Sequence, residues 1–402
     1  MYRGEYFMKD WVKLLKNHPL LMSYGFFLNF FSSFGQTFFV SLLVPFWIVE
    51  IGITNSEFGS MYGLISVTSA LTLPLFGRYI DLMSLRRYSL IVFIGLILSV
   101  ALLTAAHGFL FLLGGLFLVR LFGQGLMTHT ASTGIAKLFD SERGKALAFT
   151  TLGHPAAQLV LPFLFALLTA MASWRVSLLL LALLSLCLML PIIRRVTPAK
   201  EQVPSVGGND LGKEGENRFL MSRTFWLIAN NTFLIPFLST AIMLYQYSIG
   251  EMKGWDASWV LFSFSFFAVF NGLSIFFSGD LIDRFSGVRL FSFYLLPALI
   301  GFTAMTLLHT KWSFPLFYGL LGISSGLGST IRTAVQAEVY GTAQLGKVRS
   351  YLSTIMVLGT AAGPPVLGYL LDGQFLMNHI MLSAAALILL IFLVSLRLKP
   401  VK

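Results

Sequence analysis

Two arginines stand inside long apolar runs, Arg120 in the stretch 109–136 and Arg332 in the stretch 313–338. A guanidinium stays charged, and its planar fork of donors matches a carboxylate bidentately. Polar neighbours recur at helical spacing. Arg120, Gln124 and Thr128 fall at i, i+4 and i+8, and Ser325, Ser329, Arg332 and Gln336 do likewise, so each set shares one helix face. No Asp or Glu sits near the middle of an apolar run; Glu50, Asp280, Glu338 and Asp372 all stand near ends. Two intramembrane cations without intramembrane counter-ions point to an anion supplied from outside, a small organic carboxylate. Gln36, Asn231 and Tyr245 are further hydrogen-bonding candidates for that ligand. His154 and His129 are the deep groups that titrate near neutral pH, and therefore the candidates for proton coupling.

Each reading has a plainer rival. Arg332 can snorkel to headgroups, and Arg120 can bond helix carbonyls. The neutral groups can serve as interhelical ties, and a hydrogen-bonded neutral histidine need not move a proton. Catalysis has less support. Gly322-Ile323-Ser324-Ser325-Gly326 fits a hydrolase elbow, but that motif needs a strand–turn–helix context and here falls within an apolar run. Neither a His-Glu-x-x-His pair nor a phosphate-binding loop is present. No enzyme activity, metal site or cofactor is expected.

The elements that must position these residues follow from composition. Of the 402 residues, 56% are hydrophobic and only 11% charged, against about 25% charged in ordinary soluble domains. Lipid must therefore be the solvent. About twelve apolar runs approach the roughly 20 residues that a hydrocarbon core requires, near 22–49, 58–80, 88–106, 109–136, 146–170, 174–193, 224–249, 257–280, 289–308, 313–338, 350–371 and 377–397. At such lengths they must be helices, which satisfy their own backbone groups. Under alternating topology, 23 of the 28 Lys and Arg fall on one side, with Arg175, Lys253 and Lys311 on the other. That bias places both termini and the 194–223 loop in the cytoplasm. The net charge of +11 thus reads as topology and not as nucleic-acid binding. Cys187, alone of its kind, is expected to be a small buried hydrophobe.

The chain also repeats itself. Gly77, Asp81 and Ser84 recur as Gly279, Asp283 and Ser286, each 202 positions on, and Gly144-Lys145 and Pro162 recur as Gly346-Lys347 and Pro364. Internal repeats are a common construction rule for secondary transporters. The loop at Gly77, Asp81, Arg86 and Arg87 resembles the signature of the major facilitator superfamily, departing from it at Leu82 and Ser84. The second copy keeps Gly279, Asp283, Arg284 and Arg289, with Ser286 where a glycine is usual. Arg120-x-x-Gly123 and the run Asp140–Ala146 resemble further family patterns, so the resemblance covers the whole length.

The resemblance implies an all-α polytopic membrane protein, with about twelve transmembrane helices in two pseudo-symmetric six-helix halves. Residues 1–193 form the first half, with 1–19 a cytoplasmic interfacial segment. Residues 194–223 form a cytoplasmic linker and 224–402 the second half. It implies that the first, fourth, seventh and tenth helices line a central cavity, which would put Arg120 and Arg332 on its walls. It also implies gating roles for Gly77, Asp81, Arg86, Arg87, Arg143, Gly279, Asp283 and Arg284, with Asp81 serving the start of the eleventh helix. The expected protein is a secondary or facilitative transporter of a small organic anion, working by alternating access as a monomer in a bacterial inner membrane. Symport with protons, exchange and uniport fit equally. The alternative is a proton-coupled multidrug or lipophilic-compound exporter of the same fold. Such an exporter is expected to need a mid-membrane acid, and none is evident.

Overall fold

The computed structural model describes residues 14–139, 142–196 and 216–398. Most of the expected interfacial segment 1–19, the middle of the linker, and Asp140-Ser141 lie outside those residues. Among the described residues, eleven helices are long and apolar enough to cross a membrane. Counted as the second to twelfth segments, they are Asn55–Asp81, Leu85–Thr104, Phe109–Leu138, Arg143–Met171, Trp174–Arg195, Arg223–Leu244, Ala257–Phe285, Gly287–Leu307, Ser313–Gly341, Lys347–Asp372 and Met377–Ser395. The expected first segment, 22–49, is not one helix. It is a series of pieces: Pro19–Phe31, a 3-10 turn Ser32–Gly35, then Thr37–Val40 and Val44–Ile51.

The break has a steric cause. A Cβ on Gly35 would overlap the carbonyl oxygen of Val119 and lie 2.6 Å from the amide nitrogen of Gln124, so the backbone itself presses against the fourth segment. At the contact the fourth segment is π-helical, over Arg120–Met127. Gln36 then leaves the helical region altogether, at φ −83° and ψ 149°. Such wide turns are rare and are commonly found at functional sites.

Elsewhere helix ends are set by ordinary capping. Ser173, Ser222 and Asp256 begin the sixth, seventh and eighth segments, their side-chain oxygens accepting from the amides of Val176, Phe225 and Trp259. Polar side chains within the spans turn back on their own helices, as Thr130 does to Leu126 O at 2.6 Å and Ser263 to Trp259 O at 2.7 Å. Gly341 separates the tenth from the eleventh segment at φ +63° and ψ −177°, a backbone form open to glycine and to few other residues.

The chain divides into two compact units, Met1–Phe46 with Thr68–Gly207, and Trp47–Val67 with Gly208–Lys402. In the first unit, Tyr24 and Ser89 join the first and third segments at 2.6 Å, and Asn29 Nδ2 donates to Thr150 O at 3.0 Å. Arg175 caps the end of the third segment through Thr104 O (3.0 Å) and Ala106 O (3.2 Å). In the second unit, buried Asn231 accepts from the Tyr294 hydroxyl and donates to Ser395 Oγ at 3.3 Å, joining the seventh, ninth and twelfth segments.

The second unit also holds a clamp on the start of the second segment. The Asp372 carboxylate accepts from Asn55 N (3.2 Å), Asn55 Nδ2 (2.9 Å) and Ser56 N (2.7 Å), while the Tyr245 hydroxyl donates to Asn55 O at 2.6 Å. Large apolar side chains face outward along the spans, among them Leu110 at 77% and Met171 at 81% exposure, as expected of a chain solvated by hydrocarbon. Cys187, expected to be buried, is exposed on the sixth segment. A small apolar thiol is as acceptable facing hydrocarbon as facing protein, so sequence could not tell the two apart.

Candidate functional site

The fourth segment places Arg120 at the first residue of its π-helical stretch, 3% exposed, with one terminal nitrogen donating to Gly35 O at 3.5 Å. The broken first segment supplies that acceptor, because a chain leaving helical geometry at Gln36 frees the carbonyls just before it. Gln124 lies within the same stretch, its amide beside Gly35. Thr128 begins the helix that follows, and its Oγ1 is buried with no hydrogen-bond partner among the described residues. His129 is next. Its Nδ1 lies 3.5 Å from Thr133 Oγ1, and its Nε2 is buried without a partner among the described residues. His154 packs edge-on to Phe38, ring centroids 5.6 Å apart, and Gln158, one turn on, is 5% exposed with its Oε1 unpartnered among the described residues. The first unit thus gathers one buried cation and several open polar atoms on the first, fourth and fifth segments.

In the second unit Arg332 is half-buried on the tenth segment, and one of its terminal nitrogens is buried with no acceptor among the described residues. Its guanidinium lies beside the Tyr294 hydroxyl, at the end of the Tyr294–Asn231–Ser395 chain of hydrogen bonds. Gln336, one turn on, is 8% exposed. Ser329 is exposed and turns its hydroxyl to Gly326 O at 2.7 Å. Asn231 and Tyr245 are already engaged, the first as an interhelical tie and the second at Asn55 O. Of the residues expected at a binding site in this half, the structure brings together Arg332, Asn231 and, through Tyr294, the ninth segment. Tyr294 itself escaped the sequence reading, since one tyrosine in an apolar run carries no spacing signal.

The two copies of the charged loop differ. In the first, Arg78–Asp81 is a 3-10 turn, and Asp81 Oδ1 meets Lys137 Nζ at 2.5 Å. Lys137 also donates to Ile80 O at 3.1 Å. Arg86 and Arg87 are exposed at the start of the third segment, and Arg143 Nε donates to Phe139 O at 3.0 Å. A Cβ on Gly77 would lie 3.5 Å from the His129 ring, an ordinary contact. In the second copy the eighth segment continues through Gly279, Asp283 and Arg284 without a turn, and a Cβ on Gly279 would meet nothing within 4 Å. Here the acid is Glu338, whose carboxylate accepts from Gly287 N at 2.7 Å and Val288 N at 3.1 Å. Ser286, just before, is held at φ +65° and ψ 151°. Neither Glu338 nor Lys137 was singled out for these roles by sequence, because each acts on a loop about fifty residues away.

A sequence model described as Major Facilitator Superfamily matches residues 25–319 and 254–402. No curated protein matches the sequence. Among solved structures, the chain resembles a bacterial homolog of the human lysosomal transporter Spinster in an inward-facing, unoccupied conformation. The TM-score is 0.71 at 14% identity, covering 94% of this chain and 96% of that one. The same kind of homolog in its inward-facing, occupied conformation gives 0.68 at 15% identity, covering 96% and 98%. At these identities the likeness speaks for the fold. Together with the family match along nearly the whole length and eleven apolar helices, it places the chain in the major facilitator superfamily, as an all-α, multi-pass membrane transporter and not an enzyme.

Proposed function

We propose that the cargo is a small organic anion, a carboxylate, carried by alternating access. The observation that supports this is Arg332. A guanidinium within an apolar span is costly to place there, and one of its buried terminal nitrogens has no acceptor among the described residues. A carboxylate would satisfy that donor and neutralise the charge at once. Tyr294 stands beside Arg332 to orient the carboxylate, Asn231 holds Tyr294, and buried Gln336 follows one helical turn after Arg332. Arg120, with Gln36, Gln124 and Thr128, is the corresponding candidate in the first unit, although its contact with Gly35 O also gives it a part in seating the broken first segment. Ser329 and Tyr245 belong to the proposal with less support, since both hydroxyls already have carbonyl acceptors.

His154 and His129 are the proposed proton-linked groups. Gly77, Asp81, Arg86, Arg87, Arg143, Gly279, Asp283 and Arg284 are the proposed gating set. A bacterial inner membrane with both termini cytoplasmic is proposed from the basic-residue bias, and a monomer as the working unit. Uptake of candidate carboxylates into proteoliposomes tests the cargo. Arg332→Gln is expected to abolish uptake, and also to erase the thermal stabilisation that a transported carboxylate gives the purified protein. Arg120→Gln is expected to abolish uptake too. Undiminished uptake by Arg332→Gln would sink the assignment.

A further inference from the structure

We propose that the second unit holds an ordered phospholipid, one acyl chain seated in a groove between the eighth and tenth segments and its phosphate held at Lys311. The groove, about 420 Å³, is walled by Phe266, Phe270, Leu308, Trp312 and Leu316 and floored by Gly319. Such a volume lies within the ordinary range for a bound small molecule. The lining is almost wholly apolar, which suits a hydrocarbon chain and no polar solute.

The floor is open because Gly319 has no side chain. A Cβ there would already lie 3.2 Å from the Phe270 ring, so any larger residue would fill the space. The mouth lies at the 308–312 turn between two spans, where headgroups meet the chain. Trp259 and Trp312 stand edge to face there, 5.1 Å apart, in the manner of an interfacial aromatic belt.

One cation is fixed at that mouth. The Trp259 indole donates to Lys311 O at 3.0 Å, and Lys311 Nζ sits 4.8 Å above the same ring. Among the described residues no carboxylate pairs with this exposed ammonium. The lysine is therefore held in place with its charge unneutralised, beside an apolar slot that runs toward the hydrocarbon. A phospholipid satisfies both at once. A helix from another protein would fill the slot but would have to place an acidic residue at Lys311, whereas every anionic phospholipid brings its phosphate with its acyl chain. The proposal is independent of the transported cargo.

The test is native mass spectrometry of the purified protein in mild detergent, loaded with phosphatidylglycerol or with phosphatidylcholine. The wild type is expected to retain one phosphatidylglycerol after washing that removes the remainder. Gly319→Leu is expected to lose it. Lys311→Gln, a surface change that leaves the fold alone, is expected to weaken retention about fivefold, the effect of one basic residue near an anionic lipid surface. Equal retention by wild type and both variants would overturn the proposal. So would a lipid-free dimer that Gly319→Leu dissociates, which would make a second copy of the chain the occupant.

Discussion

The loop after the second segment and the loop after the eighth share one sequence pattern, yet they spend their charges differently. In the first, an aspartate on the loop meets a lysine on a helix, Asp81 with Lys137, with both side chains more than a third exposed. In the second, a glutamate on a helix grips the loop's own backbone, Glu338 with the amides of Gly287 and Val288. An exposed ion pair is screened by water and contributes about 0–1 kcal/mol. A carboxylate on two helix-start amides satisfies donors that no helical carbonyl can reach, and it lies at the favourable end of the macrodipole. Packing is exchanged as well. Leu85 faces Gly134 in the first copy, whereas Gly287 faces Ala334 in the second. The sequence pattern repeats while the fastening differs, so the second loop is anchored to its helix and the first only tethered.

The largest expected effect comes from giving the second loop the residue of the first. Gly287→Leu would thrust side-chain atoms into Ala334 Cβ and Glu338 Oε1, each only 3.0 Å from where a Cβ alone would stand. Overpacking of this kind costs about 1–3 kcal/mol, and the lost carboxylate grip adds to it. Chemical unfolding of the protein in mixed micelles should show a loss near the top of that range. Glu338→Ala should cost about 2 kcal/mol in the same measurement, since it strands two partly buried amide donors.

Ser286 provides a gain. Its positive φ with extended ψ is a form that costs non-glycine residues about 1–3 kcal/mol, and its hydroxyl returns only a long 3.5 Å contact with Arg289 N. Ser286→Gly should therefore stabilise by about 1 kcal/mol. Ser84, at φ −60° and ψ 139°, is relaxed, and Ser84→Gly should lose only a few tenths, ~0.3 kcal/mol. Equal responses at the two serines would show that the loops are not differently strained. The smallest effect is expected from Lys137→Ala, below about 1 kcal/mol and vanishing at high salt. A loss larger than that of Glu338→Ala would reverse the comparison.

Much of this was legible beforehand. Composition specified lipid as solvent and run length specified helices, and the family match and the eleven spans among the described residues agree; the 202-residue offset stands as a sequence repeat. The first segment was not legible as broken. Its apolar run 22–49 is continuous, and the helix is interrupted where the Gly35 backbone closely approaches that of Val119, a residue 84 positions away. The expected common face of Arg120, Gln124 and Thr128 assumed α-helical turns, whereas the structure widens them over Arg120–Met127. The loop acids were likewise visible as charges near segment ends, but a charge near an end does not declare its partner. Glu338 and Asp372 both turn out to hold the starts of other helices. Periodicity reports which side of a helix is wet or dry; it does not report which neighbour arrives there.

The widened turn in the fourth segment has a mechanical meaning. A helix wound with one residue of slack can hand that residue along the chain without unravelling, because each step exchanges one backbone bond for another. Moving it past the end would turn everything beyond it by about 100°, the angle per residue of an α-helix. Thr128–Leu138 is the part that would turn, and Lys137 stands near its last turn with Asp81 in hand. Were the slack to move in this way, the fourth segment would act as a screw, with the Arg120–Gly35 contact at one end and the loop's ion pair as its pointer.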